Sequence, residues 1–153
     1  MNNLYSISHQ LLTLGSDGSP VYLDQLSRLN RDVYEQALQL YNTHGDTPEA
    51  EGELCLGLLL AFIATVYDNG RKRQYIQQVL HRSLAVLPQL PPSLLKVRLL
   101  TYCYSEVYDE ALLAEARSII ASWDKAALTL EQVEIRDELE AIAQSPCMWE
   151  TMD

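Results

Sequence analysis

The chain has 153 residues, of which 48% are hydrophobic and 21% are charged, proportions typical of a single globular domain. Its 21 Asp and Glu residues against 11 Lys and Arg give a formal net charge of −10. Because a negative surface repels phosphates, this charge argues against a protein that binds duplex DNA, and we expect no direct nucleic-acid binding. An electronegative surface is better suited to a basic protein partner.

Nothing in the sequence indicates export or membrane insertion. The N-terminus, MNNLYSISHQLL, lacks the basic residues and the small-residue cleavage site of a secretory signal. The most apolar stretch, residues 54–67, is 14 residues long, whereas a helix that spans a bilayer needs about 20. The cysteines Cys55, Cys103 and Cys147 are odd in number and widely spaced, which is typical of reduced thiols. We therefore expect a cytoplasmic protein that does not contact a membrane.

Glycine and proline, six of each, cluster at breaks that separate segments of helical length. Between the breaks, apolar residues recur at helical spacing. This pattern predicts an all-α fold, a compact single-domain bundle of about six or seven helices in which most sequential helices pack as antiparallel neighbours. Residues 1–153 would form the domain, with residues 145–153 as a C-terminal tail. The four breaks are residues 15–20, 42–48, 68–70 and 88–92.

Three helices are predicted in the first half of the chain. The first covers residues 4–14. The second should begin at Ser19-Pro20, because a capping serine followed by proline is a common helix start. The third should begin at Thr47-Pro48 for the same reason and continue to about Asp68, before Asn69-Gly70.

Four helices are predicted in the second half. The fourth begins near Arg71 and ends at Pro88, the fifth begins at Ser93, and the sixth covers residues 110–123. The last begins at Thr129, where a glutamine three residues on completes a capping box. The side chains of the fourth helix that are expected to point inward are Ile76, Val79, Leu80, Ser83, Leu84 and Leu87.

Charge is unevenly distributed along the chain. No acidic residue occurs in residues 69–105, whereas residues 106–153 contain twelve acidic and three basic residues. Two interpretations stay open: the two halves neutralise each other across a helix interface, or they form patches for two partners. The basic residues of the first segment are Arg71, Lys72, Arg73, Arg82, Lys96 and Arg98.

Catalytic and metal-binding patterns do not occur in the sequence. The histidines His9, His44 and His81 do not have metal-ligand spacing, and there is no CxxC motif. Adjacent carboxylates such as Asp109-Glu110 are expected to be solvated, since a perturbed pKa requires burial. We therefore predict no cofactor, no metal and no enzymatic activity. A small enzyme whose site forms only in three dimensions is the alternative from another functional class.

Three segments of the chain have specific sequence patterns. They are residues 9–41, which begin HQLLTLGSDGSPVY, residues 64–70, ATVYDNG, and residues 93–123, which contain LLTYCYSEVYDEALLAEARSIIASW. These segments resemble the UpxZ-type regulators of capsular polysaccharide biosynthesis. The resemblance implies a small cytoplasmic regulatory domain. It also implies that the protein inhibits UpxY antiterminators, NusG-like elongation factors, of other capsule loci. The resemblance provides no functional residues to transfer.

A docking surface can be hypothesised from this resemblance. NusG-like domains bind a helical hairpin of RNA polymerase, which an acidic helix could imitate. The alternative is a helical adaptor that binds RNA polymerase or another elongation factor through Arg71 and Arg73, with Tyr75 nearby. The oligomeric state stays open, because Met148 and Trp149 could pack on the domain or on a second subunit. The acidic candidates on the last helix are Glu131, Glu134, Asp137, Glu138 and Glu140.

Overall fold

The computed structural model describes residues 3–66 and 70–145, and within these ranges it contains seven α-helices, one 3₁₀ turn and no strand. The all-α prediction is therefore confirmed. Asp68, Asn69, Cys147, Met148 and Trp149, on which sequence predictions were made, lie outside the described residues. The helices are α1 (Asn3–Leu12), α2 (Leu23–Leu40), α3 (Pro48–Ala64), α4 (Lys72–Val86), α5 (Leu94–Val107), α6 (Glu110–Ala121) and α7 (Leu130–Gln144), and the 3₁₀ turn is Leu87–Gln89.

The chain divides into two compact units, Met1–Leu90 and Pro91–Asp153. The first contains α1 to α4 and the second contains α5 to α7. The boundary falls within the proline-rich break at residues 88–92, where two consecutive prolines disfavour a continuous helix. The expectation that residues 1–153 form one domain stays a prediction.

The first unit is built around α3. This helix buries residues 54–62 on all sides, and α1, α2 and α4 pack against it. A helix that is apolar around its whole circumference must be surrounded in this way. Gly57 allows α1 to approach closely, since a Cβ atom there would lie 3.3 Å from the Cβ atom of Leu4. In the described ranges, no helix is both long enough and apolar enough to cross a membrane.

Helix α3 begins where the sequence predicts, but it ends earlier than predicted. The Thr47 hydroxyl accepts a hydrogen bond from the Ala50 N–H at 3.1 Å, with Pro48 in the first turn. The helix ends at Ala64, so the predicted continuation to Asp68 is wrong. Thr65 is already extended, and the Val66 N–H donates to Oδ1 of the buried Asn30 at 2.8 Å. This tertiary hydrogen bond satisfies a backbone group that a longer helix would have used.

The predicted start of α2 at Ser19-Pro20 is also wrong. The helix begins at Leu23, and within residues 3–66 its N-cap residue, Tyr22, makes no side-chain capping bond. The preceding residues form a turn instead, in which the Asp17 carboxylate accepts a hydrogen bond from the Ser19 N–H at 2.9 Å. Gly18 in this turn has a φ of 85°, which an L side chain rarely adopts.

Helix α4 has a buried stripe that is shifted from the predicted one. Val79 and Ser83 are fully buried, whereas Leu84 is 40% exposed, so its predicted inward orientation is wrong. Val86 is buried instead of Leu84. The buried stripe is centred on Val79 and Ser83, whereas Leu84 lies at the edge of that stripe. Pro88 lies in the 3₁₀ turn that follows α4, as expected for a proline at a helix end.

The second unit is built around α5, against which α6 and α7 both pack. Each of its helices has a side-chain cap. Ser93 caps α5 and Asp109 caps α6. Thr129 and Gln132 form the predicted capping box on α7. Helix α6 ends at Ala121, two residues before the predicted end.

Candidate functional site

Arg82, one of the six basic residues in residues 69–105, is a structural residue of the first unit. Its Nε and Nη2 atoms donate to the two carboxylate oxygens of Glu51 at 3.1 and 3.0 Å. Its guanidinium also donates to the backbone oxygens of Tyr41 and Thr43 at 3.0 and 2.7 Å. Desolvation alone would raise the pKa of the Glu51 carboxyl, but hydrogen bonds from Arg82 and from the Gly45 N–H lower it. The pair therefore secures the loop between α2 and α3.

The three predicted site residues near the start of α4 are in different environments. Tyr75 is half-buried, with its ring centroid 5.0 Å from that of Phe62 and 4.9 Å from that of Tyr41. Arg71 and Arg73 are exposed. The structure therefore brings Tyr75 into the aromatic packing of the first unit, where little of its ring is available to a partner. Only the two arginines of this predicted group are exposed at the surface.

Lys96 and Arg98, the two basic residues of α5, pair with acidic side chains of the same unit. Lys96 Nζ lies 2.7 Å from Glu115, and Arg98 Nη2 lies 2.9 Å from Glu131. Lys96 itself is buried. Within this unit, the charges of α5 are thus neutralised by those of α6 and α7. This agrees with the interpretation in which basic and acidic segments neutralise each other across a helix interface.

The five acidic candidates on α7 are distributed over three faces of the helix. Glu131 and Glu138 face α5, where Glu131 pairs with Arg98 and Glu138 accepts a hydrogen bond from the Tyr102 hydroxyl at 2.7 Å. Glu140 faces α6, where Arg117 donates to both of its oxygens at 2.8 and 3.0 Å.

The hydrogen bonds from Arg117 lower the pKa of the Glu140 carboxyl, although desolvation opposes them. Glu131, Glu138 and Glu140 are therefore engaged by neighbouring helices of the same unit.

The remaining two acidic candidates point outward. Glu134 and Asp137 are exposed and lie on the same side of α7 as Leu130 and Ala141, because residues at i, i+4, i+7 and i+11 share a helix face. We name these four residues the outward ridge of α7. Leu130 is 74% exposed, and Asp137 also pairs with its neighbour Arg136 at 3.0 Å.

Leu130 was missed by the sequence analysis, although a signal for it was present. It is an apolar residue on the side of the helix opposite to the buried Ile135 and Leu139.

Nucleophilic and metal chemistry find little support in the described residues. Cys55 and Cys103 are fully buried. Burial raises the pKa of the Cys55 thiol to about 11, which disfavours the reactive thiolate. In residues 3–66 and 70–145, no group of three or more His, Cys, Asp or Glu side chains could hold a metal ion.

The sequence profile of the UpxZ family of transcription anti-terminator antagonists matches residues 1–105. The chain belongs to the UpxZ family. The matched residues include the whole first unit and most of α5. The UpxZ family has a regulatory rather than a catalytic role. That this chain has no enzymatic activity of its own stays a prediction.

A solved UpxZ structure has the same fold. It is the crystal structure of a transcription anti-terminator antagonist UpxZ from Bacteroides uniformis ATCC 8492, at 1.68 Å resolution. The two chains are 41% identical and superpose with a TM-score of 0.88, over 97% of this chain and 92% of the other. No curated protein matches the sequence significantly. The outward ridge of α7 lies beyond the residues that the UpxZ family profile matches.

Proposed function

We propose that this chain binds a NusG-like, UpxY-type antiterminator and thereby regulates capsular polysaccharide biosynthesis, inhibiting the antiterminators of other capsule loci. Membership of the UpxZ family, whose members are transcription anti-terminator antagonists, is the observation that carries this proposal. The protein would act in the cytoplasm, where transcription takes place. Its means of action would be protein–protein binding, without a cofactor, a catalytic step or direct contact with nucleic acid.

The outward ridge of α7 is the docking surface that we favour. It combines an exposed leucine with two exposed carboxylates, Glu134 and Asp137. Burial of a leucine side chain contributes about 1.5–3 kcal/mol. The carboxylates would select a partner that has basic residues around an apolar depression, and they would mainly raise the association rate. Glu131, Glu138 and Glu140 would support the helix through their contacts with α5 and α6.

A pull-down against purified antiterminators tests this proposal. The protein is the bait, and the panel contains several NusG-like antiterminators and core RNA polymerase. We expect some antiterminators to be retained and others not, with weaker retention as salt rises, because exposed charge pairs are screened. Retention of RNA polymerase alone would favour the adaptor alternative, and its loss on replacement of Arg71 and Arg73 with alanine would locate that surface. Retention of no protein would contradict both.

Two matched double variants locate the surface. In Leu130→Ala/Glu134→Lys, the ridge loses its apolar side chain and reverses one charge, while Asp137 keeps its contact with Arg136. In Leu23→Ala/Asp24→Lys, the same changes are made at the start of α2, where Leu23 is 76% exposed. We expect the first variant to lose at least about tenfold in affinity, equal to about 1.4 kcal/mol, and the second to bind normally. The reverse result would place the docking surface on the first unit.

A further inference from the structure

The second unit contains a cavity of about 380 Å³ at α6, α7 and the loop that joins them. Three cations, Arg117, Lys125 and Arg136, lie around it, and Ile120 and Leu128 provide apolar walls. Glu140 is the acidic residue of its lining. The cavity therefore combines an excess of positive charge with an apolar interior.

The sequence context makes this arrangement unusual. Residues 106–153 contain twelve acidic residues and three basic ones. All three basic residues line this one cavity, although they come from α6, the loop and α7. In a protein with a net charge of −10, this local reversal of sign would attract an anionic group and repel a cationic one.

The two arginines are held in place by carboxylates and can still bind an anion. Arg117 donates through Nε and Nη2 to Glu140, and Arg136 lies 3.0 Å from Asp137 through the same two atoms. A guanidinium has five N–H donors, so these contacts orient each side chain without using all its donors. Lys125, which is exposed in the loop, adds an ammonium group with three donors.

The apolar walls indicate a ligand that has an apolar group beside its anionic group. A carboxylate that binds the cations would leave Ile120 and Leu128 in contact with water. An adjacent leucine or phenylalanine side chain would cover them and add apolar burial to the charge-assisted hydrogen bonds. We propose that this cavity binds an acidic peptide segment of a partner protein, in which an aspartate or glutamate stands next to a leucine or phenylalanine. This site is separate from the outward ridge and does not depend on the identity of the partner of that ridge.

The test uses the full chain and a defined probe, the capped peptide acetyl-Gly-Asp-Leu-Phe-Gly-amide. Binding is followed by amide chemical shifts in ¹⁵N-labelled protein. We expect saturable shifts concentrated at residues 117–128 and 136–140. A peptide with asparagine in place of the aspartate should bind at least about tenfold more weakly, because it loses the charge-assisted bonds. Equal affinity for the two peptides, or shifts centred elsewhere, would overturn the proposal.

Two variants and a matched control attribute the binding to the cavity. Lys125→Glu should abolish detectable binding of the aspartate peptide, since it reverses a charge at the cavity. Leu128→Ala should weaken binding of both peptides by about the same factor, because the apolar contact is common to them. Arg31→Glu, an exposed charge reversal on α2, should leave the affinity unchanged. An equal loss in Arg31→Glu would indicate an effect of net charge alone and would contradict a defined site.

Discussion

In the first unit, Glu51 and Arg82 form an ion pair whose side chains are 17% and 16% exposed. In the second unit, the carboxylates that pair with Lys96, Arg98, Arg117 and Arg136 are 37–65% exposed, although the Lys96 side chain is itself only 9% exposed. Each unit surrounds a central helix that is buried on most sides, α3 in the first unit and α5 in the second, whereas α6 and α7 each bury a single stripe. The Glu51 carboxylate and the paired carboxylates of the second unit therefore lie in two different dielectric environments.

This difference separates charges that stabilise the fold from charges that remain available for recognition. A partly buried pair that loses one member leaves the other charge uncompensated, which is costly. An exposed pair contributes little to stability and can exchange its partner for another protein at small cost. Both surfaces that we propose for binding, the outward ridge and the cationic cavity, lie in the second unit.

The largest effect is expected from the aromatic core of the first unit. Phe62 is fully buried, and its ring contacts those of Tyr34, Tyr41 and Tyr75. Phe62→Ala should lower the free energy of unfolding by about 3–5 kcal/mol, through lost burial and the cavity that remains. Urea denaturation, monitored by circular dichroism, measures this change in the free energy of unfolding. Leu23→Ala, at a side chain that is 76% exposed, should change it by less than about 0.5 kcal/mol.

Replacement of Arg82 should have the next largest effect. Arg82→Met keeps much of the side-chain volume but removes the hydrogen bonds to Glu51 and to the α2–α3 loop. The expected loss is about 3 kcal/mol in urea denaturation, because the Glu51 carboxylate stays partly buried without its cation. A loss below about 1 kcal/mol would show that this pair behaves like a surface pair and would remove the contrast between the units.

The Glu51 carboxyl should also make stability depend on pH. Its pKa in the folded protein lies below the ordinary value of 4.5. A carboxyl with a lowered pKa contributes stability above its unfolded pKa, and that contribution is lost as pH falls through the folded pKa. We therefore expect the free energy of unfolding to decrease below about pH 4.5. Glu51→Gln should show a flatter decrease over the same range, and an unchanged slope would contradict this assignment.

The capping box of α7 should have an intermediate effect. Thr129→Ala removes the hydroxyl that accepts from the Gln132 N–H at 3.1 Å, which should cost about 1 kcal/mol. Helical content and urea denaturation measure the loss. Tyr22→Ala is the matched control at the N-cap of α2, where the side chain makes no capping bond within residues 3–66. It should cause no loss of this kind.

The smallest effect is expected from the exposed pair between Arg117 and Glu140. A double-mutant cycle with Arg117→Ala and Glu140→Ala should give a coupling energy of about 0.2–1 kcal/mol. High salt should reduce it further, because both side chains are more than one third exposed. A coupling energy near that of the Glu51–Arg82 pair would mean that the charges of the second unit are also structural.

Much of the helical framework could be predicted from local sequence. The caps at Thr47, Ser93 and Thr129 were found where the sequence indicates them, since a cap involves residues three positions apart. The predicted start of α2 was wrong because the Ser19-Pro20 sequence is compatible both with a helix cap and with the turn that Asp17 forms. The predicted end of α3 was wrong because the side chain of Asn30, which is distant in sequence, accepts a hydrogen bond from the Val66 N–H.

The sequence by itself determined the fold class and the approximate number of helices, because these depend on periodicity and capping. Only the tertiary structure decided which charged side chains pair with each other. Arg82 and Glu51 are 31 residues apart in the chain, and Arg98 and Glu131 are 33 apart. It also decided that Arg117, Lys125 and Arg136 line one cavity. The pairing of distant side chains depends on how helices pack, and local sequence does not encode that packing.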